Sequence, residues 1–597
     1  MEKYHPSIDG LRAIAVLCVC FFHLDHRWLS GGFVGVDVFF VISGYLITSI
    51  IARDCREKRF SFLAFYQRRV SRILPASVLV ALVSLGSAVA LYTSMDAASA
   101  GTAVASAVPG VLNIKLLFQG NYFESSLDAQ PLLHFWSLSL EEQFYLVYPA
   151  FYVLVSTRLP GARTLIIAGL LVASLLACGI ATPLAPSASF YLLPTRAWEL
   201  LAGGLVATLH HDRRLIHAMP GAGGAGLGLV AVAVMVTPNT AAFPGFWPVL
   251  PVLGTALLLC EVARTSMVNN LLSMPVMVAV GRVSYSLYLW HWPIFSFVDY
   301  TMPFANEMVR VISKCLLTLV ATVASYRLVE NPCRKWLNAP RRFWAAGCFL
   351  ASALILAVGL GLWVRGQMYL TATPRELAKG GKTFTTAADA MTVALVGDSL
   401  GSMYAKSMQK ACAARGLNFV VLSLNGGDPL PGIDGPTPLW TMMIAGLRRT
   451  RPDVVVVACD WRRKLAERPE RFDEALRDVK TVSGRVVVVL QQPYLPPNAT
   501  RAAIRTGCRP PFREDADVRA GRLKANEAIR RAVADGCEII DAASFFESID
   551  GDIEWQDESR RQLFQDRNHL SGVGAERVVA AVMQELEENG KSRRRFE

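Results

Sequence analysis

The sequence predicts a polytopic α-helical membrane bundle of about ten spans plus one linking span, followed by an α/β domain built on a doubly wound parallel sheet. Three observations carry this. The 597 residues are 53% hydrophobic, with a mean hydropathy of +0.35, which is more apolar than a soluble chain of this length. The first 365 residues hold a succession of apolar runs, many long enough to cross about 30 Å of hydrocarbon as helices. From Thr392 the pattern changes to short β-branched runs separated by amphipathic helices.

The basic loops order the spans. Lys and Arg gather in RDCREKRF, QRRVSR, HHDRR and PCRKWLNAPRR, all between apolar runs, as cytoplasmic loops do. Placing 53–72 inside requires two crossings before it, at 11–27 and 33–51. The basic loop STRLPGAR (156–163) returns inside after 74–92 and 140–155, with the weakly apolar 101–118 re-entrant or interfacial. Further spans fall at 164–182, 190–209, 222–236, 246–262, 283–299, 308–328 and 343–364. The total of eleven puts the N-terminus in the cytoplasm and the soluble domain outside. A bacterial inner membrane with a periplasmic C-terminal domain is the expected setting. No cleavable signal peptide is evident, because IAVLCVCFFHL follows Arg12 and lacks a small-residue cleavage site. The expected domains are 1–336 for the bundle, 337–391 for a linking helix and linker, 392–588 for the α/β domain and 589–597 for a basic tail.

The net charge of +12 is explained by these loops. No basic stretch is interleaved with aromatics, so nucleic acid is excluded as a partner; membrane lipids are the expected surroundings. The 12 cysteines lie mostly inside spans, as small buried apolar residues. Only Cys508 and Cys537 stand in positions where an oxidising compartment would let them pair. No metal-ligand spacing or bound cofactor is expected.

Ionisable groups inside spans cost several kcal/mol unless paired or hydrated, so each is a functional candidate. Arg12 and His23 are eleven residues apart, which returns the side chain to within about 20° on one helix face, about 16 Å along the axis. A cation for a phosphate and an imidazole further in would suit a long donor; headgroup snorkelling and a polar helix contact are the alternative. Arg69 and Arg72 stand at i, i+3 at the mouth of the third span, where two guanidinium groups can bind phosphates or simply mark the inside face. Glu141, Glu142 and Gln143 open another span. Arg196 and Glu199, again at i, i+3, can pair on one helix face. Tyr285, Tyr288 and His291 in SYSLYLWHWP are partly explained by aromatic-belt anchoring.

The blocks DGLRAIAVLCVCFFHL, GGFVGVDVFFVISGYLIT, RRVSRILP, HFWSLSLEEQFYLVYP, RAWELLAGG, YSLYLWHWP and YRLVENPCR occur in the order typical of membrane acyltransferase family 3. The chain resembles that family from about residue 5 to 336. The resemblance implies a bundle that takes an acyl group, usually acetyl, from coenzyme A at the cytoplasmic side. It implies that Arg12 and His23 are the basic residue and histidine of the first helix, and that Arg69 and Arg72 lie near the coenzyme. It offers Glu142, from the EEQF block, as an acidic partner. His23 would act as general base on an acceptor hydroxyl or accept the acyl group itself, oriented by a nearby carboxylate.

In the soluble part, the runs TVALVGDSL, NFVVLSL, DVVVVAC, RVVVVLQQP and CEIIDAASFF read as about five buried parallel strands alternating with helices. Sites in such folds lie beyond the carboxyl ends of the strands, where Gly397-Asp398-Ser399 falls. Asp566 and His569 open the last helix in DRNHLSGVGA. An N-cap would explain those two but not Ser399. This arrangement is similar to the GDSL/SGNH hydrolase superfamily over about 392–588. The resemblance implies Ser399 as nucleophile, His569 as base and Asp566 as the residue orienting the ring. It also implies three oxyanion donors: the serine amide, a glycine supplied by Gly426 or Gly427, and an asparagine. After the third strand, however, the chain reads Ala458-Cys459-Asp460-Trp461, so the asparagine is missing. Either another group substitutes, such as a backbone amide, or free hydrolysis is slow. A missing donor typically costs about 2.7–4 kcal/mol.

The two resemblances together imply an O-acetyltransferase that uses acetyl-CoA as donor substrate. The acceptor would be an extracytoplasmic glycan (lipopolysaccharide O-antigen, exopolysaccharide or peptidoglycan) or a lipid-linked sugar. Two alternatives stay open: a glycan esterase in the soluble domain, and a transporter of an acylated lipid-linked sugar.

Overall fold

A computed structural model of the chain describes residues 4–593 apart from 26, 119–129, 213–220, 263–265, 304, 425–426, 433–434, 497–498, 500–509, 534–536 and 560. The chain divides into two compact units, Met1–Leu91 with Ser99–Trp363, and Val364–Glu597 with Tyr92–Ala98.

The first unit is helical throughout, as a lipid-embedded chain must be to satisfy its own backbone. Among the described residues, six helices are long and apolar enough to cross a membrane: Pro6–Leu24, Gly32–Arg56, Phe62–Leu91, Arg163–Leu184, Glu307–Leu337 and Phe343–Met368. The other expected spans are also helices, but they differ in two ways. Phe135–Arg158, Leu193–His211 and Pro275–Thr301 are long enough, yet carry buried polar side chains that lower their hydropathy, among them Arg196, Glu199 and His291. Ala222–Val236 and Val249–Cys260 are short at 15 and 12 residues, about 22 and 18 Å at 1.5 Å per residue. As a pair they leave the parity of crossings unchanged whether both cross or both turn back. The weakly apolar 101–118 falls in Ser94–Ala107 and Leu112–Leu117, neither long enough to span.

Glycines set the closest helix approaches. A Cβ on Gly44 would lie 1.8 Å from the Leu200 carbonyl oxygen, and one on Gly203 would lie 1.9 Å from that of Val41. The helices Gly35–Arg56 and Leu193–His211 therefore meet backbone to backbone, the small-residue packing that membrane helices favour. Across the same contact Arg196 Nη2 pairs with Asp37 Oδ1 at 2.7 Å, and Arg196 Nη1 lies 3.2 Å from Glu199 Oε1. The expected Arg196–Glu199 pair is thus a buried triad.

The second unit is an α/β domain. Its main sheet comprises β1 (Lys382–Phe384), β2 (Thr392–Gly397), β3 (Asn418–Ser423), β4 (Val454–Ala458), β5 (Val486–Leu490) and β6 (Cys537–Asp541). The order is β1-β3-β2-β4-β5-β6. Every pairing is parallel except β1 with β3. The five strands expected from the sequence are β2 to β6. The antiparallel edge strand β1 was not expected, since three residues are too few to show a period. The chain passes from β2 to β3 on one side and from β3 back across β2 to β4 on the other, so the topological switch lies at the carboxyl ends of β2 and β4. Cys508 lies outside the described residues, so the proposed pair with Cys537 does too.

The glycine contacts predict that Gly203→Ala destabilises the bundle by about 1–3 kcal/mol, the usual cost of overpacking. Thermal unfolding in detergent should show a lower midpoint; an unchanged midpoint would mean the two helices separate freely.

Candidate functional site

At the switch point the chain turns sharply from strand to helix. A Cβ on Gly397 would lie 2.0 Å from the Ala458 carbonyl oxygen, so only glycine lets β2 end against β4. Asp398 then caps the helix Ser399–Ala414, its Oδ1 accepting from the Leu400 N–H at 2.9 Å. Its Oδ2 accepts from the Asp460 N–H at 3.1 Å, which ties the ends of β2 and β4 together. Burial raises the Asp398 carboxyl above its usual range, although the Asp460 and Leu400 amides pull the other way. Ser399 is thereby fixed at the first position of the helix.

Asp566, Asn568 and His569 form a turn just before the helix Gly572–Arg593. Asp566 Oδ1 accepts from the backbone N–H groups of Asn568 (3.0 Å) and His569 (2.8 Å). Its Oδ2 lies 2.8 Å from His569 Nδ1, and His569 Nε2 lies 2.9 Å from Ser399 Oγ. The structure therefore brings Ser399, His569 and Asp566 together as a hydrogen-bonded triad. The turn is braced from the segment after β5. Gln492 Nε2 donates to the Asn568 carbonyl at 2.6 Å, and the Leu495 N–H donates to the Arg567 carbonyl at 2.7 Å.

Electrostatics suit the roles. Burial opposes a charged imidazole, but the Asp566 hydrogen bond and the charges of Asp566, Asp398 and Asp460 outweigh it and hold His569 above its ordinary pKa of 6.5. Burial would raise Asp566, but its bonds to His569 and to the two amides win and hold it below the usual carboxylate value. Asp566 itself is half-exposed, so its depressed value owes more to these bonds than to exclusion of solvent.

The oxyanion side is leaner. Gly426 lies outside the described residues. Gly427 is described; its carbonyl accepts from Lys464 Nζ at 2.8 Å. In the loop after β4 the amides of residues 460–463 are all engaged and cannot replace the missing asparagine. The N–H groups of Asp460, Trp461, Arg462 and Arg463 bond Asp398 Oδ2, the Cys459 carbonyl, Gln491 Oε1 and Asp460 Oδ1 in turn. The amide of Ser399, in the first helical turn, belongs to the set that an α-helix leaves without intrahelical partners. Three supporting residues escaped the sequence reading: Asp398 as the cap, Asp460 as its brace and Gln492 as the support of the turn. Only Asp398 had a local signal, as an acidic residue directly before a helix.

In the helical unit a cavity is lined by Arg12, Arg69, Arg72, Glu141, Glu142, Tyr145, Tyr285 and Tyr288, with serines and apolar residues between them. The three arginines expected near a phosphate donor share one space. Arg12 also meets Asp9 at 3.3 Å, and Arg69 packs over the rings of Phe65 and Tyr145. Both glutamates of the EEQF block reach the cavity. Glu141, named with Glu142 in the sequence, accepts from Ser43 Oγ at 2.6 Å and Tyr145 OH at 3.2 Å. Glu142 occupies the space that a side chain on Gly110 would fill. Gln143 instead pins that loop, donating to the Gly110 carbonyl and to Asn113 Oδ1.

His23 does not line this cavity. It lies with His291 and His134, its Nδ1 2.9 Å from His291 Nε2. One hydrogen-bonding neighbour of its ring is therefore an imidazole, where a carboxylate was expected. Tyr288 connects the two regions: it lines the cavity, and its ring centroid lies 5.3 Å from those of both His134 and His291.

Residues 370–584 match an SGNH domain described as fused to AT3 domains. The O-acetyltransferase OatA of Staphylococcus aureus is 31% identical over 350 residues, which are 56% of this chain and 58% of that protein. The peptidoglycan O-acetyltransferase OatA of Listeria monocytogenes is 32% identical over 352 residues, 56% of each chain. The chain thus spans little more than half the length of these relatives. A solved structure of the Salmonella ser. Paratyphi A lipopolysaccharide acetyltransferase periplasmic domain overlaps 36% of this chain and 90% of its own at 13% identity, with a TM-score of 0.29, too low to carry an argument. Residues 5–327, more than half of the chain, match the family described as the acyltransferase domain; the protein belongs to that family and carries an SGNH domain behind it.

Proposed function

We propose that the protein is a membrane O-acyltransferase that moves an acetyl group from cytoplasmic acetyl-CoA to hydroxyls of an extracytoplasmic glycan. The observation that carries this reading is the assembled triad, with His569 Nε2 at 2.9 Å from Ser399 Oγ and Nδ1 held by Asp566. That geometry suits formation and breakdown of an acyl ester. The cavity holding Arg12, Arg69 and Arg72 supports the donor half, since clustered guanidinium groups bind phosphates in fork geometry. The basic loops favour a cytoplasmic N-terminus in a bacterial inner membrane, with the SGNH domain in the periplasm.

In the helical unit His23 takes the proton of the hydroxyl that attacks the thioester carbonyl, and the departing thiolate recovers it. Glu141 lies within electrostatic reach of Arg12, Arg69 and Arg72, and Glu142 lines the same cavity beside it. In the SGNH domain Ser399 Oγ attacks the carried acyl carbonyl while His569 removes its proton and returns it to the leaving oxygen. The sugar hydroxyl then gives its proton to His569 and attacks the serine ester, and Ser399 recovers the proton. The Ser399 amide and Gly426 or Gly427 would hold the oxyanion. The acceptor is a glycan such as peptidoglycan, lipopolysaccharide O-antigen or exopolysaccharide, or a lipid-linked precursor; the name of the Listeria relative favours the first.

Three outcomes are expected. Ser399→Ala should remove acetyl groups from surface glycans, read by mass analysis of cells with equal amounts of each protein; a rise in acetylation would instead identify an esterase. Arg72→Ala should raise KM for acetyl-CoA on the order of 10-fold or more, the worth of a charged hydrogen bond, and an unchanged KM would remove Arg72 from the donor site. The third concerns pH. The base form of His569 is the active one, so its raised pKa puts the acid limb of the rate profile above pH 6.5. Asp566→Asn removes what raises it. The limb should therefore move to lower pH while the plateau falls by up to about 10⁴-fold. An acid limb that stays in place would show that Asp566 does not govern the ring.

A further inference from the structure

We propose that His291 positions His23 for acyl transfer by fixing which nitrogen of the His23 ring carries its proton. The inference rests on the reading of His23 as the base of the helical unit and deepens it.

The assignment follows from a chain of three hydrogen-bonding atoms. His291 Nδ1 lies 2.6 Å from the backbone carbonyl oxygen of Tyr288, one turn earlier in the helix Pro275–Thr301. A carbonyl oxygen can only accept, so His291 Nδ1 must carry a hydrogen. A neutral ring then has its lone pair on Nε2. That nitrogen lies 2.9 Å from His23 Nδ1, and two lone pairs cannot bond each other. His23 Nδ1 is therefore the donor, and the basic lone pair of His23 is left on Nε2. The same logic makes a backbone carbonyl or carboxylate fix the tautomer of a catalytic or metal-binding histidine.

The surroundings hold this arrangement rigid. The His23 and His291 rings lie edge to edge and nearly coplanar, 5.1 Å between centroids and 17° between planes, as an in-plane N–H···N bond requires. The Trp292 ring lies 4.7 Å from that of His23, and its Nε1 donates to the Gln130 carbonyl at 2.8 Å. His134 lies edge-on to His291 at 5.2 Å and directs its Nε2 to the Leu289 carbonyl. His291 has no exposed surface. A belt residue at a membrane–water interface would keep a polar tip in contact with water, so anchoring does not account for it.

The pair works as Asp566 and His569 do, with one difference in chemistry. A neutral acceptor orients the ring without placing a full negative charge beside it. When His23 Nε2 takes the hydroxyl proton, the Nδ1–H stays on His23 and continues to donate to His291, so no proton passes between the rings.

The test uses the full chain in lipid bilayers, with labelled acetyl-CoA as donor. His291→Phe keeps a ring but removes the acceptor; kcat should fall on the order of 10²-fold, with KM for acetyl-CoA within about two-fold, because the donor cavity is untouched. His291→Gln restores an acceptor oxygen and should recover most of that loss. Nitrogen-15 spectra of ring-labelled histidine, assigned through His23→Ala, should show His23 as the Nδ1–H tautomer in the parent and a mixture in His291→Phe. Full activity in His291→Phe, no recovery in the glutamine variant, or an Nε2–H tautomer of His23 in the parent would overturn the proposal. Should His291→Phe fail to fold, the tautomer in the parent still decides. If His23→Ala itself keeps full transfer, the reading of His23 falls, and this proposal with it. An inactive His23→Ala beside a fully active His291→Phe removes the positioning role alone.

Discussion

Arg196 is the fixed point of the helical unit. Its guanidinium lies buried between the carboxylates of Asp37 and Glu199 and under the rings of Phe40, Trp136, Phe190 and Phe243, all within 5.8 Å. A charge stranded in such a place costs several kcal/mol, so breaking one partner away is far worse than leaving the cluster whole. The helices Gly35–Arg56 and Leu193–His211 are thereby held in one register, and Gly44 and Gly203 let their backbones close. The consequence reaches the cavity directly. Val36, Phe39, Phe40, Ile42 and Ser43 of the first helix form part of its wall, and Ser43 holds Glu141. Ion cluster, helix register and the acidic side of the cavity form one mechanical sequence.

The two candidate sites solve the same problem with different means. In the SGNH domain a half-exposed aspartate stabilises a positively charged imidazole and raises its pKa. In the bundle, His23 is paired with another imidazole. A carboxylate placed there would add a second charge to the imidazolium, and desolvating both offsets much of their attraction. A carbonyl-fixed histidine gives orientation without that charge.

What the sequence made legible was local. Asp566 and His569 share one turn, Arg69 and Arg72 share one helix face, and Ser399 follows a strand of six apolar-patterned residues; each could be read from a window shorter than twenty residues. The five parallel strands were legible because β-branched runs buried on both faces leave an unbroken apolar signal. What escaped depended on distant partners. Asp37 stands 159 residues from Arg196, Asp460 stands 62 from Asp398, and His291 stands 268 from His23. The helices that carry Arg196, Glu199 and His291 were read as spans at 190–209 and 283–299 despite those residues, because a polar side chain aimed into the bundle lowers hydropathy without facing outward.

The loop after β4 connects structure to outcome. Where the superfamily pattern expects an asparagine side chain aimed at the oxyanion, Asp460 lies buried and engaged through its amide and its Oδ1. Its amide holds Asp398, and its carboxylate accepts from the Arg463 N–H and from Gln491 Nε2. An anionic side chain could not stabilise an oxyanion in any case. The same loop that makes the strand-to-helix turn rigid therefore removes a donor, which in the proposed reaction slows both formation and breakdown of the serine ester. Water, which reacts without being held, suffers the full loss. A sugar hydroxyl bound in place offsets it through high effective molarity. In the proposed reaction a missing side-chain donor would lengthen the life of the acyl ester against water and leave its discharge to the bound acceptor, the behaviour that distinguishes a transferase from a hydrolase built on the same triad.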